Sequence, residues 1–301
     1  MNERKIRELI QDDTVSIVKK RKITIYEKII YYVLGIVLSL IFVFPIVYMI
    51  ATSTKDIQTI ANEAGTLKMF VPDFSNFFTN YVSLFQKYEI GRYALNSFIY
   101  AFISIALNIF INGMAAYAIS KLKFPGKGFF HFIIIFLIVV PVESSIIPLY
   151  LICQDMLGLV NELSVLAVIF PASISIFNIF LFIQFFSSIP KEFEEAARMD
   201  GANTFQVFLK VILPLSKPIL ATVAVFCFIG VWNDYIWPIT VMLGHPEMYP
   251  IQAALTTIKA RRASTGEIMA SLVVTSIPIF VVYVAAQKYI VKGFGAGGLK
   301  L

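Results

Sequence analysis

Six runs of apolar residues alternate along the chain with polar and charged segments, at 29–51, 93–120, 128–153, 163–186, 218–243 and 269–291. Each is long enough to cross about 30 Å of hydrocarbon as a helix of roughly 20 residues. Between the fourth and fifth runs the pattern changes to a short helical period. In the segment 190–218, Phe193, Ala196 and Ala197 fall at i, i+3 and i+4, while Glu192, Glu194, Glu195 and Arg198 take the other faces. Pro190 suits a first helical turn, where its missing N–H is unpaired anyway, and the glutamates after it favour the positive end of the helix dipole. Gly201 permits a change of direction, and Phe205, Phe208, Leu209 and Ile212 then form a second apolar stripe before Pro214 and Pro218. The pattern predicts helix, bend, helix. Two explanations fit it: a pair of amphipathic helices lying at the lipid surface, or a knob that docks into a partner.

Composition agrees with a membrane protein. The chain is 58% hydrophobic and 15% charged, against a globular norm of about 25% charged, with mean hydropathy +0.79. Its 301 residues leave little room for a soluble domain beside the spans. The net charge of +6 is read as a matter of topology and not as a nucleic-acid surface. Of the 25 Lys and Arg, eight lie in residues 1–28, three in 121–127, four in the charged insert and three after Gln287. That asymmetry predicts that both termini and the insert are cytoplasmic. The expected organisation is a basic tail at 1–28 lying against anionic lipid headgroups, a membrane domain at 29–292 with the insert at 190–218, and a Gly-rich tail at 293–301. Residues 1–28 lack the pattern of a cleaved signal.

Several positions inside or beside the spans carry chemistry. Glu143, between Pro141 and Pro148 in the third run, is a carboxylate at membrane depth. It is expected to face protein or a water-filled path, as a substrate contact or as the brace of a kink. Trp232, Asn233 and Asp234, in the stretch from Gly230 to Pro238, combine aromatic faces with hydrogen-bonding groups. They suit contact with a sugar, or equally the repair of a broken helix near an interface. The loop 52–92 holds six aromatic residues at positions 70–85, which suits interfacial anchoring or an extracellular partner. Small residues in the second run, Gly113, Ala115, Ala116 and Ala118, suit close helix packing. Cys153 and Cys227 lie at or within spans, so neither a disulfide framework nor a metal site is expected. No Walker, H-E-x-x-H or G-x-S-x-G motif is present, and the terminal G-x-G-x-x-G from Gly293 to Gly298 lacks any βαβ context. No catalytic residue is assigned.

The order Glu195-Ala196-Ala197, three residues, Gly201, nine residues, Val211, one residue, Leu213-Pro214 resembles the EAA signature of permease subunits in bacterial ATP-binding-cassette (ABC) importers. Val211 stands where the signature usually has Ile. Asn96-Ser97, the stretch 115–124, Ile147-Pro148-Leu149, Trp232-Asn233-Asp234 and the closing 291–298 are similar to the smaller permease of carbohydrate importers of the maltose-transporter type. The resemblance covers about residues 29 to 301.

That resemblance implies an all-α polytopic fold of six transmembrane helices with a coupling insert, the type I importer arrangement, in a bacterial inner (cell) membrane. It implies that Glu195, Ala196, Ala197 and Gly201, with Leu213 and Pro214, engage a separate ATPase, and that Gly297 and Gly298 in the tail offer a further contact to it. ATP and Mg would be bound by that ATPase, with no cofactor on this chain. The implied partners are a second, homologous permease, two ATPase subunits, an extracellular or periplasmic solute-binding protein and a sugar substrate. An ion-coupled secondary transporter is the alternative, although Glu143 and Asp234 alone make a thin ion path. A polytopic membrane enzyme would need motifs that the chain lacks.

Overall fold

The computed structural model describes residues 24–75, 77–160 and 163–298, with backbone only from 288 onward. Residues 1–23 of the expected basic tail and 299–301 at the other end lie outside the described residues. The described residues are almost wholly helical, with no strand among them.

Two units divide the chain at Tyr48. The first includes most of α1 (Ile25–Ser53), in which every residue from Ile29 to Phe44 is exposed and nearly all are apolar. The second unit holds everything else. Its loop after α1 has structure of its own: α2 (Ile57–Glu63), a 3-10 turn (Leu67–Phe70) and α3 (Thr79–Lys87). Asp56 starts α2 by accepting the Thr59 N–H at 2.8 Å. Next come α4 (Ile90–Lys121), α5 (Lys127–Ile138), α6 (Val142–Met156), α7 (Ser164–Ala172) and α8 (Ile176–Ser188). The insert forms α9 (Glu192–Met199) and α10 (Thr204–Leu215), and α11 (Lys217–Asn233), α12 (Ile236–Val241), α13 (Ile251–Ala260) and α14 (Thr265–Gly298) complete the chain.

Four stretches are long and apolar enough to span as they stand: α1, α4, α7 with α8, and α14. Two helix pairs qualify only if a sharp bend is allowed, α5 with α6 at 102° and α10 with α11 at 86°. The first bend falls at Pro141, in extended conformation. Pro148 does not break the helix. It sits in the first turn of the helical stretch Ile146–Leu151, where a missing N–H costs nothing. The fourth run at 163–186 reads as one span by its hydropathy, but α7 and α8 part at Ser173–Ser175. There Pro171 removes a ladder N–H, and the Ser175 hydroxyl accepts the Asn178 N–H at 3.3 Å to restart the helix. At the other end, α14 continues through Gly298, where the sequence predicts a separate tail from Gly293.

Buried apolar side chains form two clusters. One gathers Tyr88, Ile90, Trp232, Trp237, Ile251 and their neighbours, and the other gathers Tyr117, Phe182, Phe186, Phe208, Ile212 and theirs. Between them along α4 lies a polar layer that no hydropathy profile emphasises. Asn178 Nδ2 donates to Asn108 Oδ1 at 3.0 Å, and Asn112 Nδ2 donates to the Ser173 carbonyl at 3.3 Å. The Ser175 N–H donates to Asn112 Oδ1 at 3.4 Å. Asn108 and Asn112 are fully buried. The side chains of α4 thus satisfy backbone groups released by the break in the fourth span, the condition for non-helical backbone at membrane depth.

Candidate functional site

Three glutamates fall in the first turn of α9 as the sequence predicts, but the helix starts at Glu192 after the N-cap Lys191, so Pro190 precedes its first turn and does not lie in it. The orientation of α9 is less expected. Glu194 is the one buried residue of α9, and it turns toward the end of α4. Lys121 Nζ, on the last residue of α4, lies 3.1 Å from Glu194 Oε1, and the two side chains are 5% and 10% exposed. Tyr117 donates its hydroxyl to Glu194 Oε2 at 3.4 Å. Lys121 Nζ also donates to the Ile189 carbonyl, just past α8, at 2.6 Å. With Glu194 anchored, the opposite side of α9 presents Glu195 and Ala196 to the surroundings, together with Phe193, Arg198 and Met199; Ala197 is half-buried. Apolar Phe193 and Met199 remain 49% and 84% exposed.

The bend falls where the sequence places it. Gly201 has φ +83°, a left-handed conformation that side chains resist, and a methyl there would touch nothing within 4 Å. Asn203 and Gln206 then close a reciprocal capping box at the start of α10, each bond 2.9 Å. α10 is held by apolar contact. Val207, Phe208 and Ile212 are buried, and Gly113 of α4 leaves room for the Phe208 ring, whose edge would lie 3.3 Å from a methyl at that position. A wide π-helical turn over Phe208–Ile212 precedes Pro214, which has no N–H to continue a regular ladder. Leu213 is half-buried on the side of Gly113, and Pro214 is exposed. The structure therefore brings Glu195, Ala196 and Gly201 onto one open surface and turns Leu213 inward.

The proposed pathway residues separate. Glu143 is exposed on a 3-10 turn at the 102° bend, and its carboxylate has no partner among the described residues. Trp232 is fully buried. Its Nε1 donates to the Thr275 carbonyl at 3.0 Å, and its ring lies 5.3 Å from Phe228 and 4.9 Å from Phe98. Asp234 caps the broken fifth span, its Oδ1 accepting the Trp237 N–H at 3.3 Å. Asn233 alone of the three is exposed, in contact with Gln252 at 3.5 Å. Gly297 and Gly298 are the last described residues of α14, known here by their backbone.

Two positions escaped the sequence reading. Glu194 is one of three glutamates within four residues, and no composition rule separates it from Glu195. Lys121 counts in the sequence only as one of three basic residues at 121–127, yet its ammonium is inside. The asparagines carried a usable signal: Asn108 and Asn112 are spaced i, i+4 within an apolar run, so both fall on one face and must meet protein.

Apolar spans, irregular backbone satisfied by buried amides and a charged insert with one anchored face are features to set beside known membrane proteins. Residues 113–295 match the family described as binding-protein-dependent transport system inner membrane component, and the chain belongs to that family. It is 31% identical over 259 residues to a probable ABC transporter permease protein, YurM, of Bacillus subtilis, covering 85% of this chain and 83% of that one. A diacetylchitobiose uptake system permease protein, NgcG, of Streptomyces coelicolor is 30% identical over 268 residues, covering 88% and 87%. Among solved structures, a bacterial ABC transporter involved in the import of the acidic polysaccharide alginate matches with TM-score 0.75 and 29% identity, over 90% of this chain and 98% of that one. The protein is accordingly a membrane-embedded ABC importer permease, a transport component whose ATPase is a separate subunit. Permeases of this family work with another permease, an ATPase and a solute-binding protein.

Proposed function

We propose that this permease moves a sugar or oligosaccharide into the cell by alternating access, and that α9 and the bend at Gly201 couple it to the ATPase. The observation that carries the reading is the orientation of α9. One face is locked to the ends of α4 and α8, and the other leaves Glu195, Ala196 and two large apolar side chains uncovered. Exposed apolar surface on a well-anchored projection favours a protein partner over water. Glu195 offers charge, Ala196 and Ala197 allow close approach, and Gly201 sets the angle. In this reading the insert and both termini face the cytoplasm of a bacterium, in its inner membrane. ATP and Mg stay on two ATPase subunits, and an extracellular or periplasmic binding protein delivers solute between this chain and a second permease.

The sugar assignment is supported by relatives named for diacetylchitobiose and for arabinooligosaccharides. A relative named for sn-glycerol-3-phosphate defines the nearest variant. Exposed Asn233, with half-buried Gln252 beside it, is better placed to meet solute than buried Trp232. The test co-expresses the complete complex, then measures ATPase co-purification and ATP hydrolysis with diacetylchitobiose, arabino-oligosaccharides and glycerol 3-phosphate presented by the binding protein. Glu195→Lys and Gly201→Pro are expected to release the ATPase while leaving membrane insertion normal. Retention of the ATPase by both variants would sink the coupling role, and stimulation by an amino acid but by no sugar would sink the substrate class.

A further inference from the structure

We propose that Glu194 and Lys121 form a positioning tie that makes α9 move as one body with the ends of α4 and α8. The inference rests on the coupling role given to the insert and adds the route by which its motion enters the membrane helices. α10 already has apolar anchors in Phe208 and Ile212. α9 adds only half-buried Ala197 to that cluster, and its one buried residue is a carboxylate. Beside the small Ala197 contact and Arg198, which reaches Thr204 at 3.4 Å, Glu194 is the main buried point at which a force on the exposed face of α9 enters the bundle.

The geometry at that point joins three elements. Glu194 comes from α9, Lys121 is the last residue of α4, and Ile189 follows the last turn of α8. Lys121 Nζ meets Glu194 Oε1 at 3.1 Å and the Ile189 carbonyl at 2.6 Å. Tyr117, one turn back on α4, supplies its hydroxyl to the second carboxylate oxygen. Oε1 receives no hydrogen bond of good angle and is held by charge alone. Both side chains are withdrawn from water, so the attraction is weakly screened, and neither charge is readily left alone. Apolar packing would let α9 slide over the bundle surface. A buried charge pair with a carbonyl as third member allows one register, because a displaced Glu194 leaves an unpaired ammonium and carboxylate.

The experiment uses the whole complex in lipid, this chain with its second permease and ATPase subunits. Spin labels are placed at Asp200→Cys, just past α9, and at Lys123→Cys, just past α4, both exposed positions; the native Cys153 and Cys227 are buried. In the otherwise native chain the label distance is expected to be narrow and the same without nucleotide and after trapping with ATP and vanadate. Glu194→Gln is expected to keep the ATPase subunits bound but to lose the single distance, with a shift on trapping. Lys121→Arg, which keeps the cation, is expected to restore what Lys121→Met loses. If Glu194→Gln fails to accumulate, the pair Glu194→Met with Lys121→Met removes both charges together and carries the same reading. An unchanged narrow distance in the variant overturns the tie. Loss of the ATPase subunits from Glu194→Gln also overturns it, because Glu194 faces the bundle. If Gly201→Pro and Glu195→Lys also leave the ATPase attached, the coupling role itself falls, a separate outcome from failure of the tie.

Discussion

Replacing Gly266 with alanine is expected to damage the structure more than the same change at any other glycine with open neighbours. Gly266 lies in the first turn of α14, and a methyl there would collide with the Lys55 carbonyl oxygen and come within 2.5 Å of Asn80 Nδ2. Neither neighbour is free to retreat. Asn80 Nδ2 donates to the carbonyls of Ser53 and Lys55, both at 2.9 Å. Lys55 is itself buried, its ammonium 2.6 Å from Glu63 and 2.8 Å from the Lys68 carbonyl. Forcing the methyl in strains two hydrogen bonds, at about 0.5–1.5 kcal/mol each, and overpacks a tight contact at about 1–3 kcal/mol, together about 2–6 kcal/mol. Two other glycines calibrate the result. Gly201→Ala meets no atom and is charged only for its left-handed backbone, about 1–2 kcal/mol. Gly230→Ala, inside α11 with open space beside it, gains helix propensity of up to about 1 kcal/mol. Thermal unfolding of the purified proteins in one detergent should rank the midpoints Gly230→Ala, native, Gly201→Ala and Gly266→Ala from highest to lowest. A Gly266→Ala protein that melts with or above Gly201→Ala would refute the reasoning.

Two further outcomes test the interior. Asn112→Leu is expected to lower stability by about 0.6–1.7 kcal/mol, the range for interhelical hydrogen bonds in membranes, because the Ser173 carbonyl and the Ser175 N–H lose their partner; unchanged unfolding would mean that the break between α7 and α8 satisfies itself. Trp232→Phe and Asn233→Ala should divide cleanly. The first loses a bond to Thr275 and about 1 kcal/mol of stability with solute preference intact, whereas the second should alter solute-stimulated ATP hydrolysis with little change in melting. The reverse pattern would return Trp232 to the solute path.

What the sequence reveals here follows from how local the cause is. Apolar length marks the spans because hydrocarbon thickness acts on each segment separately. The bend at Gly201 is legible because one residue type is favoured at that backbone angle and two stripes flank it. The face of α9 is not legible, since Phe193, Ala196 and Ala197 read as its buried side, yet the ion pair with Lys121 turns Glu194 inward and leaves Phe193 out. That pairing joins residues 73 positions apart in the chain. The Trp232 cluster stays open in the sequence for the same reason: an aromatic beside an amide and an acid suits a site or a repaired break alike until Thr275, far along the chain, takes the indole N–H. The break at Ser173–Ser175 escapes because two serines scarcely lower the hydropathy of the surrounding run.

The asparagine layer also sets a timetable for biosynthesis. Asn112 and Asn108 leave the ribosome before their partners Ser173 and Asn178, which follow 61 and 70 residues later. At about 5–20 residues per second, the second span exists for about 3–14 s with two amides that only water, lipid headgroups or the insertion machinery can satisfy. α4 therefore gains its full preference for the membrane interior only when the fourth span arrives, so these two helices are expected to settle as a pair and not in the order in which they are made.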